Sequence, residues 1–228
     1  MSTSSTNPGT VITDNPNVQS CDFYVIGPAL CVLQLNVEGL SAAQYDLLSV
    51  LAHQHTINII CLQETYVATA EAGGYSIDGF DLLCHVAHPK YGRATYVQSD
   101  IADAIQLMST EFCDTIQVCD FWLANVYMPP SISWNQQVLP SLLHPDVYIR
   151  DFNSHHTDWG YKDGEQLADW ASQNDLALIH DAKQQGTFHS SRWDHDYSPD
   201  LCWVSSVHGH PQRHACKTWT LRGLLPLN

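Results

Sequence analysis

An α/β or α+β layered sandwich is the fold class predicted for this chain, and three observations predict it. A strand–helix–strand pattern occupies residues 30–64. Further apolar runs of strand length follow in the second half, with one amphipathic helix among them. Several of these runs close on an acid or an amide, so polar residues collect at strand ends.

The elements follow in chain order. Residues 1–20, "MSTSSTNPGTVITDNPNVQS", are rich in Ser, Thr, Asn and Pro and read as a flexible tail. "LCVLQLNV" (Leu30–Val37) is apolar enough for a buried strand. In "SAAQYDLLSVLAHQH" Ser41 can cap a helix in which Tyr45, Leu48, Leu51 and Ala52 recur at helical spacing. "INIICLQE" (Ile57–Glu64) is a continuous apolar run of strand length, which completes the unit of a covered sheet. Later strands are predicted at "FWLANVYM" (121–128), "DVYIRDF" (146–152), "LALIH" (176–180) and "DLCWVSS" (200–206). A helix is predicted over Asp163–Asn174, where Leu167, Trp170 and Ala171 share a face. There is no internal repeat. The expected organisation is one domain over residues 21–206, between the tail at 1–20 and an irregular tail at 207–228.

Composition narrows the function classes. The chain has 228 residues, 24 Asp+Glu and 9 Lys+Arg, a formal net charge of −15. That excludes a protein that coats DNA through its phosphates, which draws on Lys and Arg. It leaves room for an enzyme that meets phosphate through a metal ion held by carboxylates. The 8 Cys form no C-x-x-C pair, and Cys31 and Cys61 sit inside apolar runs as small core side chains. The reading is a reduced, intracellular protein, nuclear or cytoplasmic. No apolar run reaches the roughly 18 residues of a membrane span, so no membrane partner is expected.

The polar strand ends carry the chemistry. Asn36 closes "LQLN", Glu64 closes "CLQE", Tyr127 lies in "NVYMPP", and Asp151 and Asn153 lie in "IRDFN". One carboxylate at a strand end is ordinarily a turn or cap. Several, far apart in sequence and each behind an apolar run, point to one rim where rigid strands hold groups around an open space.

Five motifs, "LQLNVEGL", "CLQETY", "NVYMPP", "DFNSHHTDWG" and "SPDLCWVSS", occur in the order and approximate spacing of the endonuclease/exonuclease/phosphatase superfamily. Over roughly residues 30–206 the chain resembles the apurinic-type endonuclease domains of non-LTR retrotransposons, and the His pair and Trp of "DFNSHHTDWG" are the most specific part of that resemblance. It implies a four-layer α/β sandwich of two mixed sheets flanked by helices. It also implies hydrolysis of DNA phosphodiesters with Mg²⁺ or Mn²⁺. By resemblance Glu64 and Asn36 are the metal ligands, and Asp151 orients or deprotonates the attacking water. Asn153 and Tyr127 would hold the scissile phosphate, and Asp200 would orient a His near the domain's C-terminus. The chemistry is coherent, because a hard cation takes oxygen ligands and a positioned base activates water.

Two departures bear on activity. Arg150 stands where the family has Gly immediately before the Asp of "DFN". The family pattern ends in Ser-Asp-His, and no Asp follows Asp200 in residues 201–228. The expectation is a partial or degenerate copy that has lost its last strands and has little nuclease activity. The alternatives are a domesticated binding module and a phosphatase acting on a small phosphoester. Other constellations read as structure. The side chains of His155 and His156 point apart in an extended chain. Cys202, His208, His210, His214 and Cys216 match no familiar zinc spacing. The seven Trp read as core or rim fillers, and Arg192 as part of a solvated loop. Nothing signals a protein partner.

Overall fold

The computed structural model describes residues 30–67, 76–129, 139–151, 164–179, 188–190, 195–197 and 200–205. The tails at 1–20 and 207–228 lie outside the described residues. The elements are β1 (Val32–Asn36), α1 (Ala42–Gln54), β2 (Ile59–Gln63), β3 (Phe80–Val86), β4 (Arg93–Gln98), β5 (Ala104–Ser109), β6 (Cys113–Val118), β7 (Phe121–Tyr127), β8 (Asp146–Asp151), α2 (Gly164–Gln173), β9 (Leu176–Ile179), β10 (Phe188–Ser190), β11 (His195–Tyr197) and β12 (Asp200–Ser205).

Two mixed sheets result. The smaller runs β1-β2-β4-β3, with β1 and β2 parallel and the other pairs antiparallel. The larger runs β5-β6-β7-β8-β12-β9, with only β7 and β8 parallel. Strands β10 and β11 pair as a separate antiparallel ribbon. Each parallel pair encloses a connection: α1 joins β1 to β2, and residues 128–145 join β7 to β8.

The cores define the layers. Val32, Ile59, Cys61, Cys84 and Val97 of the small sheet meet Ile116, Val118, Leu123, Val147, Ile149, Cys202 and Val204 of the large one. Tyr45, Leu48 and Ala52 of α1 cover the outer face of the small sheet at Ile60, Leu62, Ala94 and Tyr96. Leu167, Trp170 and Ala171 of α2 cover the outer face of the large sheet at Cys113, Ala124, Val126, Tyr148, Leu201 and Trp203. The order is helix, sheet, sheet, helix, as the resemblance implies. Strand residues bury both faces because both faces are covered, which is why β2 reads as an unbroken apolar run rather than an alternation.

Every apolar position assigned to a helix face from spacing is buried: Tyr45, Leu48, Leu51 and Ala52 in α1, and Leu167, Trp170 and Ala171 in α2. At the start of α1 the Gln44 side chain folds back, and its Oε1 accepts the Ser41 backbone N–H at 2.7 Å. Six strands, β3 to β6, β10 and β11, are additional to those expected from the apolar runs. Of the cysteines among the described residues, Cys61, Cys84, Cys113 and Cys202 are buried and Cys119 is exposed.

Candidate functional site

The strand ends meet because of register. In the large sheet Tyr127 pairs with Asp151 across β7 and β8, and Asp151 pairs with Asp200 across β8 and β12. β7 and β8 run parallel and β12 antiparallel, so two C-terminal ends and one N-terminal end lie in a row. In the small sheet Asn36 at the end of β1 pairs with Gln63, the last residue of β2, and Glu64 follows directly.

A hydrogen bond joins the two rims. Tyr127 Oη, on a residue only 1% exposed, donates to Glu64 Oε1 at 2.8 Å. Tyr66 Oη donates to the other oxygen, Oε2, at 2.8 Å. Both carboxylate oxygens are therefore oriented by phenols, and each keeps a lone pair free for a further partner. The Glu64 carbonyl accepts the Gly39 N–H at 2.7 Å, and the Gln63 carbonyl accepts the Val37 N–H at 3.0 Å. The Asn36 Oδ1 accepts the Glu38 N–H at 3.3 Å.

The backbone of this rim is unusual. Glu38, Glu64 and Tyr66 all adopt left-handed conformations, at φ 45°, 53° and 53°. Each costs an L-residue of order 1–3 kcal/mol. Such strain persists where the surroundings impose it, and it concentrates at working sites.

A buried polar layer beneath the rim holds the strands in place. Gln34 Nε2 donates to Gln63 Oε1 at 3.0 Å, Gln63 Nε2 to Asn125 Oδ1 at 2.7 Å, and Asn125 Nδ2 to Thr95 Oγ1 at 3.0 Å. This chain crosses from one sheet to the other immediately before Glu64 and two residues before Tyr127. Beside it the fully buried Arg93 forks onto Asp114, with Nε to Oδ2 at 3.1 Å and Nη2 to Oδ1 at 3.2 Å.

The turn at residues 87–92 is tied to the Glu64 segment. Thr65 N–H donates to the Gly92 carbonyl at 3.0 Å. A Cβ on Gly92 would lie 2.3 Å from Thr65 Oγ1, a buried hydroxyl with no hydrogen-bond partner among the described residues, and 3.0 Å from the Val86 carbonyl oxygen. Gly92→Ala is therefore expected to destabilise the protein by about 1–3 kcal/mol through overpacking. Adding Thr65→Ala should recover part of the loss, because it removes the nearest obstacle and an unsatisfied group. Thermal melts of the single and double variants check this; equal midpoints for wild type and Gly92→Ala would show that the turn gives way freely.

Of the residues predicted from sequence, Asn36, Glu64 and Tyr127 are placed with their side chains. Asp151 and Asp200 are placed by backbone register in the same row. Asn153 lies outside the described residues, as do the His pair at 155–156 and Trp159. Sequence reasoning missed Tyr66 and Tyr91, the latter stacked on Tyr127 with ring centroids 5.9 Å apart. It also missed the polar layer, although Gln63, Arg93 and Asn125 each stand inside or beside an apolar run.

The donor chemistry fits a hard divalent cation in kind, since Glu64 and Asn36 offer oxygen only. The set is sparse in number: among the described residues no three His, Cys, Asp or Glu side chains converge. A magnesium ion that keeps several waters and takes substrate oxygens needs only one or two such ligands.

No curated protein sequence matches the chain. Residues 121–221 match the family described as Endonuclease-reverse transcriptase. Among solved structures, the endonuclease domain of TRAS1, a telomere-specific non-LTR retrotransposon, superposes with a TM-score of 0.56 at 19% identity, over 77% of this chain and 84% of that one. The AP endonuclease LMAP from Leishmania major gives 0.61 at 16% identity, over 77% and 78%. The 3′ phosphatase NExo from Neisseria, bound to a product DNA hairpin, gives 0.57 at 13% identity, over 78% and 87%. Two mixed sheets and their outer helices agree with these structures: the chain has the endonuclease/exonuclease/phosphatase fold, and its match to the endonuclease–reverse transcriptase family is confined to residues 121–221, less than half of the chain.

Proposed function

We propose that the chain is a divalent-metal-dependent phosphodiester hydrolase of the retrotransposon-endonuclease type, with DNA as its substrate. One observation carries the reading. The Tyr127–Asp151–Asp200 row of one sheet meets Glu64 of the other through the bond from Tyr127 Oη to Glu64 Oε1. The match of residues 121–221 to an endonuclease family supports it.

In this reading Glu64, with Asn36 beside it, holds Mg²⁺ or Mn²⁺. The bound ion would neutralise charge on the phosphate and polarise its oxygens. Tyr127 and Tyr66 fix the Glu64 carboxylate, so no reorganisation is needed when a ligand arrives. Asp151 orients or deprotonates the attacking water from its strand end. Asn153 positions the scissile phosphate, Tyr127 acts only through Glu64 because its one hydroxyl proton is given to that carboxylate, and Asp200 orients a histidine. Aligned groups at a rigid rim act mainly by positioning.

Nicking of supercoiled plasmid with Mg²⁺ and with EDTA tests this. The expected result is metal-dependent conversion to open circles. Hydrolysis of p-nitrophenyl phosphate without any nicking would instead favour a small-phosphoester phosphatase. A second reading, a non-cleaving binding module, is favoured by the net charge of −15 and by Arg150 next to Asp151. A folded protein inert in both assays would support it.

A further inference from the structure

We propose that the turn at residues 87–92 is a stacking platform for an unpaired nucleobase, with Lys90 on the adjoining phosphate, so that the site prefers single-stranded or distorted DNA over regular duplex. The proposal rests on the hydrolase reading for its substrate class, and it names a specificity element of the same site.

Three observations carry it. First, an aromatic ladder leads away from the Glu64 carboxylate. Tyr127 bonds Glu64, Tyr91 stacks on Tyr127 with centroids 5.9 Å apart at 27°, and His88 stacks on Tyr91 at 4.9 Å and 15°. Exposure rises outward: Tyr127 is buried, whereas Tyr91 and His88 are half-buried. Second, Lys90 projects from this same turn and is exposed, whereas Arg93 three residues on is buried. An acidic chain that keeps one cation beside one aromatic stack has the two elements of single-strand binding, a π-face for the base and a charge for the backbone. Third, the platform is rigid. His88 Nδ1 accepts the N–H groups of Lys90 at 3.0 Å and Tyr91 at 2.8 Å, which sets the ring plane and leaves its proton on Nε2. Thr65 N–H anchors the turn to the Glu64 segment through the Gly92 carbonyl. Stacking needs a base whose face is open, and in regular duplex both faces are covered by neighbouring pairs.

Fluorescence anisotropy with labelled oligothymidylate and with a blunt duplex, in low-salt EDTA buffer, tests the proposal without turnover. The wild type should bind the single strand more tightly than the duplex. Tyr91→Leu, which keeps apolar bulk but removes the ring that backs the outer His88 face, should weaken single-strand binding about tenfold and leave its salt dependence unchanged. Lys90→Ala should lower the slope of log affinity against log salt by about 0.7. Tyr91→Trp guards against a misfolded Leu variant and should bind at least as tightly as wild type. Equal binding by wild type and Tyr91→Leu, no measurable binding of oligothymidylate by wild type, or equal affinity for duplex would each overturn the proposal. The two readings fail separately. This pattern without metal-dependent nicking removes the hydrolase and leaves the platform, whereas nicking without this pattern does the reverse.

Discussion

Arg93→Ala is expected to destabilise the protein by about 3–5 kcal/mol, more than any other single truncation between the sheets. The guanidinium is 1% exposed and makes four hydrogen bonds: two to Asp114, one from Nη1 to the Glu111 carbonyl at 2.6 Å, and one from Nη2 to the Thr110 carbonyl at 2.7 Å. Asp114 is itself fully buried, and its Oδ1 also accepts the Ser109 hydroxyl. Removing Arg93 strands that carboxylate without its counter-charge and leaves two carbonyls without donors. Neighbouring thiols are buried as well. Burial, with Asp114 adding to it, pushes the Cys61 thiol well up, and burial pushes Cys84 up to about 12. At roughly 2–4 °C per kcal/mol for a domain of this size, the melting midpoint should fall by about 6–20 °C. Arg93→Lys should recover only part, because an ammonium cannot reproduce the fork. Replacing both partners, as Arg93→Met with Asp114→Leu, should be far milder than Arg93→Ala alone, since no buried charge is then left unpaired. A drop below about 2 °C for Arg93→Ala would mean that water reaches Asp114.

The same pair shows where the sequence was legible and where it was not. β1, β2, β7, β8 and β12 are apolar runs covered on both faces, so composition alone marks them. β4 and β6 are just as central, but they carry Arg93, Thr95, Asp114 and Thr115, all fully buried or nearly so. A polar residue in a strand reads as exposed until its partner is known, and Arg93 and Thr95 find theirs 21 and 30 residues away, in Asp114 and Asn125. Edge strand β5 hides for the opposite reason, with Ile105, Leu107 and Met108 exposed on a strand that gives no alternating pattern.

The site divides in the same way. Glu64, Tyr127, Asp151 and Asp200 were legible because each stands at the end of such a run, and register then aligns the last three. Tyr91 and His88 were not, because the turn that bears them is brought to the rim by one long-range bond, Thr65 N–H to Gly92 carbonyl. Pro89 and Gly92 announce a turn in the sequence, but nothing there says what it faces.

Glu64→Gln is expected to reduce Mg²⁺-dependent nicking by at least about 10²–10³, and Tyr127→Phe by about 10- to 100-fold. The difference follows from what each change removes. Gln is isosteric with Glu: its Oε1 can accept one phenol hydroxyl and its Nε2 can donate to the other phenol oxygen, so the rim keeps its shape, but it carries no charge for a hard cation. Phe keeps the ring that stacks on Tyr91 and loses only the hydroxyl that orients Glu64 Oε1. Its effect should therefore appear first in metal affinity. Water-proton relaxation in a Mn²⁺ titration reads that affinity directly. Wild type should show a weak saturable site, Glu64→Gln should lose it, and Tyr127→Phe should weaken it by about the factor seen in nicking. Both variants should melt within a few degrees of wild type, since neither leaves a buried charge unpaired. A Glu64→Gln protein that binds Mn²⁺ and nicks as wild type does would place the metal elsewhere on the rim. Asp151 would then be the next carboxylate to replace, because its register with Tyr127 keeps it one strand from the Tyr127–Glu64 pair.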